Sequence, residues 1–391
     1  MRILIVSEVY DHGVGGVQRA LDTLVSGLRA AGDDVTVMTS ASHSLRRSHT
    51  ETLDNGATVH KIVSVPYPLN PRNNRVTLFP QRAVQRFWRM QPAFDVVHYM
   101  TPASWLHTSV RELATRHQVP QMSTNHTMPE NISMNTHLAP LSRAIDWGAR
   151  KTIVGFMNSS DLVTAPTQAA LDSTPGLRVP AHAVSNGLDV EYYRPGTPRT
   201  DIHTAYKLSP DKHTIIYTGR LDGEKRVDLV IDAAKHLART RDDVQFVIVG
   251  KGLRMNELQA KVARHHLKRV VRFTGFVSED DKRDLLRISD VFVMASPAEF
   301  QCISALEALA CGVPVVVAGR VALPELTDGG RNGLVFTYPD SADCAAKIAE
   351  LLDDEPRRRA MADAARTWVV DNHSIAATIE AYRRLYRELA R

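Results

Sequence analysis

The chain has 391 residues, of which 43% are hydrophobic and 23% charged, with a formal net charge of +5 at pH 7. This length predicts two domains, because a single core rarely grows so large, and the composition is that of a soluble globular protein. The three cysteines, Cys302, Cys311 and Cys344, form no CxxC pair, which argues against a disulfide framework and against a zinc site.

Membrane and nucleic-acid functions are also disfavoured. No apolar run approaches the roughly 20 residues of a membrane span, and the run at 3–6 is too short for the core of a signal peptide. A cytoplasmic location is therefore expected. The sequence pI is about 9.1, but the basic residues are scattered and form no recognisable DNA- or RNA-binding module, so nucleic acid is not an expected partner.

The first half of the chain alternates short apolar runs with helical patterns. This alternation predicts an α/β fold with a doubly wound parallel sheet. The predicted strands are 3–6, 35–39, 96–99, 119–124, 162–165 and 182–185, and the predicted helices are 17–30 and 104–116. The alternation stops at YRPGTP, residues 193–198, where we place the linker between the domains.

A basic and aromatic segment interrupts this half. Residues 55–94 contain no Asp or Glu, and Arg82, Arg86 and Arg89 share one helical face, with Phe87 and Trp88 among them. One interpretation is an interfacial helix, Arg82–Arg89, that makes a peripheral contact with anionic lipid at the inner face of the membrane. The other is a solvated basic face whose aromatic side chains pack onto their own domain.

The second half begins the alternation again and ends in helices. The predicted strands are 215–218, 244–249, 270–274, 291–294 and 313–317. One predicted helix follows the first of these strands and ends at 237, and three more span 341–352, 356–370 and 375–390. This pattern predicts a second doubly wound sheet.

Two glutamates stand eight positions apart near the end of this second sheet. Glu299 follows the strand at 291–294, and Glu307 lies in the short helix that comes next. Ligands of open α/β sheets bind at the carboxyl ends of the strands, so both carboxylates can reach one crevice. Backbone N–H groups at the helix start, near Cys302 to Ser304, favour an anion such as a diphosphate. Together these features suggest a nucleotide sugar.

This segment resembles the E-x7-E signature of the retaining glycosyltransferases of family 4. Members of that family have the GT-B fold, two Rossmann-like doubly wound parallel-sheet domains that face a central cleft. TGRLDGEK at 218–225 resembles the phosphate-binding stretch of the family. Further matching pieces follow the family order over nearly the whole chain: NGLD at 186–189, VGKG at 249–252, FTGFV at 273–277, PEL at 324–326 and NGLV at 332–335.

The resemblance implies a domain organisation. Residues 1–195 are expected to form the N-terminal acceptor-binding domain and 196–372 the C-terminal domain that binds the nucleotide sugar. The last helix, 373–391, is expected to pack back on the N-terminal domain.

A transferase of this kind must neutralise a departing diphosphate. No Asp-x-Asp motif is well placed after a strand, so we expect no metal and no other cofactor, and Arg220 and Lys225 to supply the positive charge. The resemblance implies that Glu307 holds the ribose hydroxyls, while the catalytic Glu299 binds the transferred sugar and stabilises charge at its anomeric carbon. Other donor-binding positions taken from the resemblance are Gly15, Gly16, Gln301, Cys302, Ile303, Ser304, Gly250, Lys251 and Val277.

One position departs from the family pattern. The family usually has Phe-Gly shortly after the first glutamate, whereas this chain has Gln301-Cys302. The glycine that allows close approach of the backbone to the sugar is therefore missing, and Gln301 is itself a candidate sugar contact.

Candidate residues in the first domain follow two of its predicted strands. GVGG at 13–16 lacks the G-x-G-x-x-G spacing of dinucleotide sites, and it is either a tight turn or, by resemblance, a loop under the donor diphosphate. His126 is either structural or, by resemblance, a catalytic histidine that orients the sugar. Glu130, in the same loop, and His12, beside the glycines, are acceptor-side candidates.

The sequence therefore predicts a retaining, metal-independent glycosyltransferase that moves a hexose or modified hexose from a nucleoside diphosphate sugar to an acceptor hydroxyl. The preferred acceptor is a small soluble core such as an aminocyclitol, because a helix over 82–89 is short for membrane anchoring. One alternative is glycolipid formation on diacylglycerol or phosphatidylinositol at a membrane surface. The others are a nucleotide-sugar epimerase or hydrolase on the same fold, and a non-catalytic nucleotide-sugar binder.

Overall fold

The computed structural model describes residues 1–8, 10, 16–41, 47–66, 75–100, 104–126 and 142–391. They form two compact units. The first ends at Gly187 but also takes in the C-terminal segment Ile375–Arg391, and the second contains Leu188–Ser374. Among the described residues, none of the helices combines the length and the apolarity that crossing a bilayer requires.

The boundary between the units lies before the predicted linker. The backbone N–H of Leu188 donates to the carbonyl of His373 at 2.7 Å, and the Arg366 guanidinium donates to the carbonyls of Val190 and Tyr193 at 2.8 and 2.9 Å. These bonds attach the segment that follows Gly187 to the second unit. The division therefore falls at 187/188 and 374/375, whereas the sequence analysis places it at 195/196 and 372/373.

The first unit is built on a mostly parallel sheet. Its strands are β1 (Arg2–Val6), β2 (Asp34–Ser40), β3 (His49–Thr52), β4 (Thr58–Ile62), β7 (Val96–Met100), β8 (Gln121–Thr124), β9 (Leu162–Ala165) and β10 (Ala181–Ala183), with β5 (Val65–Pro66) and β6 (Arg75–Val76) as a separate short pair. Over the described residues the sheet order is β10-β9-β8-β7-β1-β2-β4-β3, and only the edge strand β3 is antiparallel to its neighbour. The chain runs outward from β1 in one direction and from β7 in the other, so the strand order reverses between β1 and β7.

Helices cover both faces of this sheet. They are α1 (Gly16–Ala30), α2 (Gln81–Met90), α3 (Trp105–Arg116), α4 (Ser142–Met157), α5 (Gln168–Asp172) and the C-terminal helix (Ile375–Leu389). Alternate residues of β1 enter two different cores: Ile3 and Ile5 pack with α1 and the C-terminal helix, whereas Leu4 and Val6 pack with α2 and α3. A central parallel strand therefore reads as a continuous apolar run, since both of its faces are buried.

The C-terminal helix is fixed to the first unit by close packing and by buried polar contacts. A Cβ added to Gly27 of α1 would lie 2.4 Å from Cγ1 of Ile379, so the two helices meet where α1 has no side chain. On the same helix, the Tyr386 hydroxyl lies 2.7 Å from Nδ1 of the buried His98 in β7, and Arg383 pairs with Asp33 at 2.9 Å.

The second unit has a fully parallel sheet. Its strands are β11 (His213–Thr218), β12 (Val244–Val249), β13 (Val271–Gly275), β14 (Val291–Met294), β15 (Val315–Ala318) and β16 (Gly333–Phe336). Their order is β13-β12-β11-β14-β15-β16, so the direction of winding reverses between β11 and β14. This is the strand order of a Rossmann domain, whose ligands bind at that reversal.

The helices of the second unit connect these strands and follow them. They are α6 (Ile202–Tyr206), α7 (Val227–Leu237), α8 (Met255–Arg264), α9 (Glu279–Arg287), α10 (Ile303–Ala310), α11 (Ser341–Asp353) and α12 (Glu355–His373), with 3₁₀ turns at Gly223–Lys225 and Leu323–Gly330. The doubly wound α/β class predicted for both halves is confirmed. The strand predicted at 313–317 begins only at Val315, because the N–H of Val313 bonds back to the Ala308 carbonyl in α10 at 2.9 Å.

Candidate active site

The loops that follow β11 and β14 meet through an ion pair. Lys225 lies in the 3₁₀ turn after β11, and its Nζ donates to Oε1 of Glu299 in the loop after β14. Only 17% of the lysine side chain and 12% of the glutamate side chain are exposed. The sequence analysis named both residues, and the structure brings them into direct contact at the point where the strand order reverses.

This pairing fixes the charge of Lys225. Burial by itself would lower the pKa of the lysine, but the negative charge of Glu299 and the hydrogen bond to it act in the opposite direction, so the pKa is raised above its ordinary value. Lys225 is therefore an ammonium ion at neutral pH. The pair presents one cation and one hydrogen-bond acceptor at the carboxyl ends of the two strands.

Two glycines allow the loop after β11 to lie against the loop after β12. Gly219 and Gly250 have φ values of +153° and +133°, and a Cβ on Gly250 would lie 1.9 Å from the carbonyl oxygen of Gly219. The N–H of Leu221 donates to the carbonyl of Lys251 at 3.0 Å. The predicted donor-binding residues Gly250 and Lys251 are therefore held beside the loop that carries Arg220.

Arg220 is anchored on one side and exposed on the other. Its guanidinium forms ion pairs with Asp222 and Glu224, which are 9% and 2% exposed, while 61% of the arginine side chain is exposed. The Asp222 carboxylate also accepts from the Leu253 N–H at 2.9 Å, which ties the two loops together. Because the guanidinium has five donors in a fixed plane, these two carboxylates orient it and leave capacity for a further anion.

Glu307 is buried within α10 and already has a cationic partner. Its Oε1 accepts from Nζ of Lys282 at 2.8 Å, and the glutamate side chain is 3% exposed. Lys282, on α9, also pairs with Glu279 at 2.9 Å. A ribose hydroxyl that bound Glu307 would thus share the carboxylate with Lys282.

Cys302 has a backbone conformation that normally requires glycine. Its φ and ψ are 63° and 73°, and its carbonyl accepts from the N–H of Ala305 at 3.0 Å as α10 begins at Ile303. The chain therefore makes a left-handed turn here, although the sequence lacks the glycine of the family pattern. The thiol lies 3.5 Å from the Ser304 hydroxyl, and burial raises the pKa of Cys302 to about 12, so the thiol is protonated at neutral pH.

Two other predicted donor contacts are buried in the same unit. The amide nitrogen of Gln301 lies 3.5 Å from Nδ1 of His373, and 3% of the Gln301 residue is exposed. Val277 follows β13 directly before Ser278, whose hydroxyl caps α9 by accepting from the Asp281 N–H.

The residues that the sequence analysis predicted in the N-terminal domain are described only in part. His126 follows β8; its Nε2 is buried and has no hydrogen-bond partner among the described residues. Burial lowers the pKa of His126 to about 4, so its imidazole is neutral at pH 7. Gly16 is the first residue of α1. The other three calls, His12, Gly15 and Glu130, lie outside the described residues.

Sequence reasoning missed three residues that support the site. Asp222 and Glu224 stand two and four positions after Arg220 within TGRLDGEK, and this spacing was the signal available for them. Lys282 lies in the highly charged sequence of α9, EDDKRDLLR, where no local pattern distinguishes it from its neighbours. Its role beside Glu307 arises from tertiary packing.

Comparison with known proteins identifies the family. The family model "Glycosyl transferases group 1" matches residues 198–368, and the model "Glycosyltransferase Family 4" matches residues 14–192. The chain belongs to glycosyltransferase family 4. Its two units thus correspond to the two halves of a family 4 glycosyltransferase, and the prediction of a glycosyltransferase that uses a nucleotide-sugar donor is confirmed.

Two relatives of this glycosyltransferase align over most of their length. It is 28% identical to the glycogen synthase of Mycobacterium tuberculosis, with 94% of this chain and 89% of that protein covered. It is also 28% identical to the GDP-mannose-dependent alpha-mannosyltransferase of Mycolicibacterium smegmatis, with 95% and 94% covered. Sucrose-phosphate synthase from Thermosynechococcus elongatus has a similar structure, with a TM-score of 0.78, 18% sequence identity and coverage of 99% and 98%. The predicted GT-B fold class is confirmed.

The contact between Lys225 and Glu299 predicts a strong energetic coupling. Lys225→Met and Glu299→Gln are each expected to reduce the free energy of unfolding by about 2–3 kcal/mol, because each leaves a largely buried charge unpaired. The double variant should lose clearly less than the sum of the two. Urea unfolding of the four proteins measures the coupling.

The more exposed pair Lys347–Glu350, 3.2 Å apart, provides a control, and Glu350 keeps a second partner in Arg357 at 2.6 Å. Lys347→Met and Glu350→Gln should couple by less than about 1 kcal/mol, as exposed pairs generally do. Additive effects at Lys225 and Glu299 would contradict their close pairing in the unliganded enzyme.

Proposed function

We propose that this enzyme is a retaining, metal-independent glycosyltransferase. It moves a hexose or modified hexose from a nucleoside diphosphate sugar to a hydroxyl group of a small soluble acceptor. The main support is the contact of Lys225 with Glu299 where the strand order reverses, with Arg220 on the same loop as the lysine. A diphosphate requires cations, and a sugar requires acceptors for its hydroxyl groups.

Positive charge from the protein stabilises the leaving diphosphate. The exposed guanidinium of Arg220 binds phosphate oxygens through two parallel N–H bonds, and Lys225 adds a point charge. The first N–H groups of α10, at Ile303 and Ser304, contribute a further partial positive charge. Because these groups are fixed before the reaction, they stabilise the developing charge without reorganisation, and no metal ion is required for that role.

Glu299 acts on the sugar rather than on the phosphates. In the unliganded enzyme its carboxylate is paired with Lys225, and when the donor binds the lysine also faces the diphosphate. The carboxylate then accepts bonds from the hydroxyls of the transferred sugar and lies close to the positive charge that develops at the anomeric carbon. Glu307, held by Lys282, accepts from the ribose hydroxyls.

Retention follows from reaction on one face of the sugar. The bond between the anomeric carbon and the phosphate oxygen breaks, and the acceptor oxygen forms its bond to the same face of that carbon. The proton of the acceptor hydroxyl passes to the departing phosphate oxygen. This course gives Glu299 a stabilising role instead of a nucleophilic one, in agreement with its pairing to Lys225.

The packing of α2 favours a soluble acceptor. Arg82, Arg86 and Arg89 are exposed, but Phe87 is buried against His60, with the ring centroids 4.4 Å apart. The ring of the half-buried Trp88 packs against Phe94 at 5.6 Å in the same core. An interfacial helix needs a free apolar face to insert between lipids, and these aromatic side chains of α2 are used inside their own unit.

Arg220→Ala is expected to lower kcat by a factor on the order of 10²–10³, the usual loss for one charge-stabilising group. Steady-state kinetics with EDTA present measures this effect, and EDTA should leave the wild-type rate unchanged. Arg359→Ala is the control, because Arg359 is 78% exposed and, among the described residues, pairs with Glu355 of its own helix. Turnover of Arg220→Ala within a few-fold of wild type would remove Arg220 from the phosphate site.

The product should carry the transferred sugar with the anomeric configuration of the donor, as read from the one-bond C–H coupling in NMR. Transfer to a soluble acceptor should proceed without vesicles, and Arg82→Gln, Arg86→Gln and Arg89→Gln together should leave its rate unchanged. An inverted product would refute retention. Turnover that requires anionic vesicles, and is lost in the triple variant, would refute the soluble acceptor.

A further inference from the structure

The first unit also has a reversal of strand order, and chemically distinctive residues gather there. Glu8 lies two residues after the end of β1, and Ser104 and Trp105 follow β7, the neighbouring strand on the other side of the reversal. Open α/β sheets bind their ligands outside the carboxyl ends of the strands at this kind of position. The described residues here are not among those predicted from the sequence.

Glu8 places a carboxylate at this point, surrounded by hydroxyl groups. Its Oε1 accepts from the Thr77 hydroxyl at 2.8 Å, the Ser104 side chain also bonds to the carboxyl, and the Ser40 hydroxyl donates to the Glu8 backbone carbonyl at 2.6 Å. Burial raises the pKa of Glu8 above its ordinary value, although the bonds from Ser104 and Thr77 oppose this effect. In the described part of the chain Glu8 forms no ion pair. The carboxylate is thus held by neutral donors, as in a site that binds ligand hydroxyls.

Two exposed aromatic rings belong to residues that are close in sequence to the hydrogen-bond partners of Glu8. Phe79 is 73% exposed and Trp105 is 48% exposed, and their ring centroids lie 4.8 Å apart with an angle of 38° between the planes. Phe79 is two residues from Thr77, and Trp105 directly follows Ser104, so the backbone carries both rings close to the residues that bond to Glu8. Exposed apolar surface beside a few fixed polar groups is typical of a binding site.

The backbone at Phe79 supports this interpretation. Its φ is +51°, in the left-handed region, which costs a bulky residue roughly 1–2 kcal/mol. Packing does not explain that cost, since most of the ring is in solvent. Strain of this kind concentrates at ligand-binding positions.

We propose that Glu8, Phe79 and Trp105 form the acceptor subsite and that they bind a hydroxylated ring, a sugar or a cyclitol. The aromatic faces stack on the C–H face of the ring, and the Glu8 carboxylate accepts from its hydroxyl groups. This assignment rests on the proposed function for its description as an acceptor site. A lipid surface fits less well, because the negative charge of Glu8 in the same part of the unit would repel the headgroups of anionic lipid.

The test uses ring probes that need no knowledge of the natural acceptor. Saturation-transfer difference NMR with methyl α-D-glucopyranoside and with myo-inositol should detect binding to the wild-type enzyme without nucleotide. Trp105→Ala and Glu8→Gln should weaken that binding at least fivefold. Met90→Ala should leave it unchanged, because Met90 is 70% exposed but lies at the end of α2.

Phe79→Gly separates binding from folding. Glycine adopts the observed φ without strain, so this variant should melt at the same temperature as the wild type or higher, and still bind the probes at least fivefold more weakly. Loss of probe binding with a lowered melting temperature would instead indicate a structural role for the ring and would overturn its assignment.

Other outcomes distinguish this proposal from the proposed function. Absence of probe binding to the wild type, or equal binding by all variants, would overturn the subsite. Sedimentation with anionic vesicles that Trp105→Ala abolishes would also overturn it, in favour of a lipid surface. Arg220→Ala should retain probe binding, because Arg220 is assigned to the donor and not to the acceptor. If the donor-site predictions fail while the probes still bind, the proposed function is refuted and the subsite is not. If Trp105→Ala retains transfer activity with an unchanged acceptor KM, the subsite assignment is refuted, but the proposed function is not.

Discussion

The ion pair between Lys225 and Glu299 is the contact on which the proposed chemistry of the second unit depends. It joins the two loops that lie on either side of the strand reversal, and it keeps a cation and a carboxylate close together before any ligand arrives. A buried charge is tolerable only with a partner, so neither residue can be altered without a cost to the other. In the proposed reaction the two residues of this pair have different roles: the lysine faces the phosphate groups, and the glutamate faces the sugar.

Around this pair, backbone geometry holds the remaining groups in place. The close crossing of Gly219 and Gly250 leaves no room for a side chain, and it fixes the loop from which Arg220 projects. Asp222 and Glu224 then orient the guanidinium. The left-handed turn at Cys302 starts α10 and so presents the helix start beside Glu299. Each of these contacts orders the site before a donor binds. Groups that are already in place can stabilise a developing charge without reorganisation of the protein.

The sequence predicted the fold class, because buried strands and amphipathic helices leave local patterns. It also named Lys225 and Glu299, which the structure brings into contact, while their roles toward the donor stay predictions. Apolar runs mark strands that are buried on both faces, and Lys225 and Glu299 each follow such a run. The contacts that were not predicted depend on tertiary packing: Lys282 bonds to Glu307, Thr77 bonds to Glu8, and the rings of Phe79 and Trp105 meet. The left-handed backbone conformation of Cys302 was not predicted for another reason: a cysteine in the sequence does not indicate a conformation that glycine usually adopts.

The most direct test of the account is thermal stabilisation by a panel of UDP-, GDP-, ADP- and dTDP-sugars with EDTA present, carried out on the wild type and on Lys225→Met. One nucleotide class should raise the melting temperature of the wild type, because a ligand that binds only the folded state stabilises it. The same class should stabilise Lys225→Met much less. If no member of the panel shifts the melting temperature, or if the shift appears only with added metal, the metal-free diphosphate site assigned to Arg220 and Lys225 is contradicted.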